Sequence, residues 1–81
     1  MNFDGLTKKI NEALKEMDIF VDSIEYIQKG KYYFLEVTLD KVGGIDLDGI
    51  VEATRIINPI VDEENFTEDS YILDVSSKER G

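Results

Sequence analysis

An α+β fold is what this sequence predicts: a two-layer sandwich of order αββαβ, with two helices covering a three-stranded sheet. Three observations lead there. Apolar residues recur at steps of three and four over residues 3–17 and again from Leu47, two alternating runs flank Lys29-Gly30-Lys31, and a third alternating run begins at Tyr71. A sheet of this size buries its apolar face only if both helices pack on it. A strand that follows the second helix must arrive by a crossover, so the sheet is expected to be mixed.

The first helix is expected over residues 3–17, with Phe3, Leu6, Ile10, Ala13, Leu14 and Met17 on one stripe. Lys8, Lys9, Glu12, Lys15 and Glu16 form its charged back, where Lys8 to Glu12 and Glu12 to Lys15 are spaced for weak surface pairing. Residues 21–28 read as a strand, with Ile24 and Tyr26 on its apolar side. Lys29-Gly30-Lys31 makes a short turn. Residues 32–40 follow as a second, antiparallel strand in which Tyr33, Leu35, Val37 and Leu39 face one way. Val42-Gly43-Gly44 breaks that strand, because paired glycines permit positive φ and a close chain reversal.

Asp46 stands just before a second helical stripe of Leu47, Ile50, Val51, Thr54, Ile57 and Val61, well placed to cap the free amides of the first turn. Asp48 adds a favourable charge there. Pro59 lacks an amide and disfavours helical geometry at Asn58, so the helix is expected to kink or end near that point, with room to resume for a turn to Val61. Residues 62–70 read as an acidic loop. Residues 71–76 read as the last strand, Tyr71, Leu73 and Val75 facing opposite to Ile72, Asp74 and Ser76.

Composition narrows the chemistry more than it suggests one. The 81 residues allow a single domain with a small core, and 42% apolar residues suffice for a compact globule. No run of about 18 apolar residues and no signal-peptide pattern occurs, which points to a cytoplasmic protein without a membrane partner. The chain has no cysteine and no histidine. Disulfides, thiolate metal sites, the commonest metal ligand and the usual general base at neutral pH are therefore all absent. Ser23, Ser70, Ser76 and Ser77 have no histidine to activate them, and Lys29, Lys31 and Lys78 sit where they stay hydrated. No catalytic residue, cofactor or metal is expected.

Asp46-Leu47-Asp48-Gly49 begins like a calcium loop, but Ile50 and Val51 follow where further oxygen ligands are needed. Gly43-Gly44 before a helix has the topology of a phosphate cradle, but Asp46 and Asp48 would repel phosphate. The element order is KH-like, without the GXXG loop such RNA binders use. Tyr26, Tyr32, Tyr33 and Phe34 could stack bases; most are expected to serve as packing residues instead. Nine basic against eighteen acidic residues, a net charge of −9, disfavours tight nucleic-acid binding and favours basic partners.

Several segments stand in a telling order. Ile24-Glu25-Tyr26-Ile27, Leu35-Glu36-Val37 and Asp40 come first, then Gly43-Gly44, Leu47-Asp48 and Arg55-Ile56-Ile57-Asn58-Pro59. Val61-Asp62-Glu63-Glu64 and Tyr71-Ile72-Leu73-Asp74-Val75-Ser76-Ser77 complete the series. In this order and at these spacings the set resembles the N-terminal domain of the bacterial ribosome maturation factor RimP family. The Arg55 segment looks like that family's Ser-Arg helix segment, the Val61 segment is similar to its Leu-Asp-Glu-Glu-Asp stretch, and the last is similar to its Tyr-x-Leu-Glu-Val-Ser-Ser.

The resemblance implies a non-enzymatic assembly factor that binds the immature small (30S) ribosomal subunit and contacts a basic small-subunit ribosomal protein. It implies a domain over residues 1–77, with 78–81 a tail or the start of a linker. The family continues through Pro-Gly into an SH3-like domain, whereas this sequence reads Lys78-Glu79-Arg80-Gly81, the expectation for an excised domain or a short paralogue. Carried over by position, the partner-binding candidates are Asp40, Gly43, Gly44 and Asp46 at the turn, Arg55 on the helix, and Asp74, Ser76 and Ser77 at the end of the last strand. For the four turn residues, chain reversal and helix capping are the simpler roles. The alternative to a ribosome-assembly module is a small acidic protein-interaction or self-association domain; the chain itself is expected to be a monomer.

Overall fold

The structure is a computed structural model, which describes residues 2–78. Its elements run α1 (Asp4–Ala13), a 3-10 turn (Lys15–Met17), β1 (Phe20–Lys29), β2 (Tyr32–Asp40), α2 (Leu47–Glu64) and β3 (Tyr71–Ser77). The strands lie in the order β1-β2-β3, with β1 antiparallel and β3 parallel to the central β2. Both helices pack on one face, so the α+β sandwich expected from the sequence is the fold observed.

The core follows from the two periodicities. Leu35, Val37 and Leu39 of β2 are fully buried, as every second residue of a central strand under a helix layer should be. Leu6 and Ile10 of α1, with Leu14 just beyond it, meet them from above, and Ala53, Ile57 and Val61 of α2 complete the layer. Ala13, expected on the buried stripe, is exposed, and the chain after it tightens into the 3-10 turn, closed by Asp18 in the left-handed region at φ 59°. The tightening turns Leu14 inward. Asn11 ties the helix to the sheet, its Oδ1 accepting from the Val21 N–H at 2.7 Å beside a register shift between Val21 and Ser23.

Helix α2 corrects two expectations. It neither ends nor restarts at Pro59 but runs on to Glu64. An internal proline costs a helix about 3 kcal/mol. Pro59 is exposed, while Ile57 and Val61 on either side of it are fully buried, and burying side chains of this size stabilises by about 1.5–3 kcal/mol each. Tertiary burial therefore outweighs the local preference. As a result, Asp62, Glu63 and Glu64 form the last turn of α2 rather than a loop, and Asn65 stops the helix in the left-handed region at φ 47°.

Three carboxylates at the negative end of a helix dipole are unfavourable, and Lys9 of α1 offsets this by reaching Glu64 at 2.9 Å. The Lys8–Glu12 and Glu12–Lys15 pairs expected on α1 are not among the ion pairs of the described residues. The ion pairs seen there include Lys9–Glu64, Lys29–Glu36 and Lys78–Asp22. Of the segment 78–81, only Lys78 is described, and its N–H donates to Leu39 O at 2.7 Å.

Beneath the end of α2 the rings gather. Phe66 meets Phe3 edge-on at 5.7 Å and Tyr26 edge-on at 5.2 Å, and lies 5.1 Å from Tyr71. Tyr26 stacks on Tyr33 at 5.4 Å. Tyr26 and Tyr33 thus serve packing, as expected. Tyr32, 62% exposed, and the half-buried Phe34 belong to the opposite face of the sheet.

Candidate protein interface

Two places in the fold collect the residues singled out from the sequence. The first is the reversal between β2 and α2. Asp40 Oδ1 accepts from the Lys41 N–H at 2.8 Å, and Gly44 N–H donates to Lys41 O at 2.9 Å. Gly43 and Gly44 hold φ values of +88° and +90°, where any side chain would be strained. Asp46 Oδ1 then accepts from the Gly49 N–H at 2.7 Å, the cap expected of it. The turn borders an open cleft of about 660 Å³ whose rim includes Glu16, Asp18, Lys41 and Asp46, three carboxylates to one lysine. Chain reversal and capping account for the turn residues, and the charge at the rim suits a cation.

The second place is the face of the sheet that the helices leave open. Strand pairing arranges it in rows running across the strands. Ile27, Phe34 and Ile72 form an apolar row, and Glu25, Glu36 and Asp74 form the next. Ser23, Thr38 and Ser76 make a third row of hydroxyls. Ile72 is 47% exposed, large for an isoleucine in a strand. Lys29 lies along this surface, its Nζ 5.5 Å from the Phe34 ring centroid and 3.4 Å from Glu36 Oε2.

Asp74 and Ser76 point to this open face, whereas Ser77 is aligned with Leu39 on the covered side and is half-buried. Asp40 lies on β2 two residues beyond Thr38, at the end of the sheet that leads into the glycine turn. Arg55 is exposed on α2, in the helix layer, with the sheet between it and Asp74. The eight candidates therefore form no single cluster: the turn set is contiguous, Asp74 and Ser76 share the open face, and Arg55 stands apart.

The family model of the RimP N-terminal domain matches residues 9–78, nearly the whole chain. The chain belongs to the RimP N-terminal domain family. Membership connects it with ribosome maturation, the role of the factor in which this domain is found. Within this RimP domain, no helix among the described residues is long and apolar enough to cross a membrane, and no group of three or more acidic residues there is arranged to hold a metal ion.

The open-face row of Glu25, Glu36 and the Lys29 that crosses it escaped the reading of the sequence. Part of the signal was present. A two-residue turn at Gly30-Lys31 pairs Lys29 with Tyr32, and counting back along the hairpin sets Glu25 opposite Glu36. The third carboxylate had no such signal, because the parallel register of β3 is set only by the packed crossover helix.

Proposed function

We propose that this RimP N-terminal domain is a non-enzymatic binding module that assists maturation of the small ribosomal subunit by docking on a basic ribosomal protein or on an assembly intermediate that carries one. The observation that carries this reading is the family match over residues 9–78. The net charge of −9 supports a basic protein as the point of contact and speaks against tight binding to bare RNA. Its setting is the cytoplasm, where subunits are assembled, and the chain acts as a monomer. Asp40, Gly43, Gly44, Asp46, Arg55, Asp74, Ser76 and Ser77 are the proposed contact positions. Support is best for Asp74 and Ser76, which project from a face that neither helix among the described residues covers.

The test is co-sedimentation of the chain with precursor and mature small subunits over a salt series. Selective retention by the precursor that fades as salt rises is the expected result, because exposed opposite charges are screened over about 10 Å at 0.1 M salt. Equal retention by both particles, or none at low salt, would remove the reading. Tight binding to naked small-subunit RNA would replace it with a nucleic-acid one.

A further inference from the structure

Across the open face of the sheet, Glu25 stands directly opposite Glu36, and Glu36 beside Asp74, so each of the three strands places a carboxylate in one row. Like charges opposed across strands are destabilising. Lys29 neutralises the central member, and among the described residues neither Glu25 nor Asp74 has an ion-pair partner. Lys29 also shows how the surface takes a cation: over the Phe34 ring, with its end on a carboxylate. Beside the acidic row runs the apolar row of Ile27, Phe34 and Ile72.

We propose that this face is the docking surface for a basic amphipathic helix of the partner protein, lying across the strands with its cationic stripe on Glu25, Glu36 and Asp74 and its adjoining apolar stripe on Ile27, Phe34 and Ile72. The spacing favours a helix. Neighbouring strands are about 4.8 Å apart, so the carboxylate row is about 10 Å long. Positions i, i+4 and i+7 of a helix cover about 10 Å along its axis on one side. An extended segment repeats its same-side residues about 6.8 Å apart and falls out of step by the third strand. The charge sets the sign of the partner, and a second copy of this chain, which would bring the same acidic row against it, is disfavoured.

This inference rests on the proposed role in binding a basic protein, and two measurements separate their failures. In the first, a synthetic helical peptide with arginines at i, i+4 and i+7 and leucines on the adjoining stripe is titrated into the isotopically labelled chain, with a scrambled peptide as control. Amide shifts confined to Glu25, Ile27, Phe34, Glu36, Ile72 and Asp74 are expected. The variant Glu25→Lys with Asp74→Lys should bind about tenfold more weakly or worse, whereas Glu12→Lys with Glu52→Lys, an equal charge change on the helix layer, should bind nearly as the parent does. The sheet-face variant relieves a like-charge opposition and should fold. Shifts spread over the helices, equal effects of the two variants, or self-association of the free chain through this face would overturn the proposal. In the second measurement, the same variants are sedimented with the precursor subunit. Loss of retention confined to the sheet-face variant supports the surface. If both variants are retained like the parent, the surface is wrong while the ribosomal role stands. If the parent is not retained but the peptide binds at the row, the ribosomal role falls and the docking surface remains.

Discussion

Tyr26 combines a well-packed ring with an unsatisfied tip. It stacks on Tyr33 and receives Phe66 edge-on, yet its hydroxyl is buried without a hydrogen-bond partner among the described residues. A buried hydroxyl that gives up water and gains nothing costs about 1–3 kcal/mol. Tyr26→Phe keeps the ring contacts and removes that cost, so urea unfolding should show a gain of about 1 kcal/mol. A loss would show that the oxygen is bonded in solution. Gly49 presents the opposite case. In most helices glycine to alanine gains about 1 kcal/mol. Here an added Cβ would lie 2.9 Å from Ile45 Cγ2 and 3.1 Å from the capping oxygen of Asp46. Gly49→Ala is therefore expected to lose about 1 kcal/mol by disturbing the cap, readable in the same unfolding curves.

Helix α2 shows where reading the sequence succeeds and where it stops. Asp46 as cap was legible because a helical spacing begins directly after it, although Leu47 and Val51, expected on the buried stripe, are exposed; β2 was legible because Leu35, Val37 and Leu39 alternate without interruption. An end at Pro59 was the wrong alternative because the proline's effect is local, while the burial of Ile57 and Val61 that overrides it is a property of the packed molecule. The misplaced acidic loop was a consequence of the same error. Of the candidate interface, the turn was readable from its glycines, and Asp74 was found on its strand. That Glu25, Glu36 and Asp74 share one row depends on pairing between strands distant in sequence, of which β3 leaves no local trace. The helix retains the cost of its proline. Pro59→Ala restores an amide on an exposed position and should stabilise the domain by about 1–2 kcal/mol, part of the gain being offset by a freer unfolded chain; a thermal melt would register it as a rise in Tm.

For the domain as a whole, charge governs the response to solution conditions. The hydrogen bond from Lys9 to Glu64, followed by the attraction of that carboxylate, raises the Lys9 ammonium above its ordinary value. Burial, followed by Asp62, raises the Tyr71 hydroxyl. Both groups hold their protons more tightly folded than unfolded. Their contributions are thus complete below the unfolded values, about pH 10, and are lost as pH rises through the folded ones. Urea midpoints should fall as the pH rises above about 10, and by less in Glu64→Gln, which removes the charge that Lys9 meets. Salt acts on stability and on binding with opposite signs. Screening eases the self-repulsion of a chain carrying −9 and should raise its Tm, while it weakens attachment to a basic partner.

The central strand β2 is joined on one side to β1, its neighbour in the chain, and on the other to β3, which arrives only after α2. The two ladders therefore differ in when they form and how readily they part. A hairpin closes in about 1–10 μs, whereas the parallel ladder waits for a long loop to close and a helix to dock. When the native domain opens in part, β3 should leave first, and its amides should exchange hydrogen sooner than those between β1 and β2. Each such opening bares the backbone of β2 beside Leu35 and Val37, an apolar edge on which another chain could add a strand. The crossover that completes the sheet also guards the domain against aggregation.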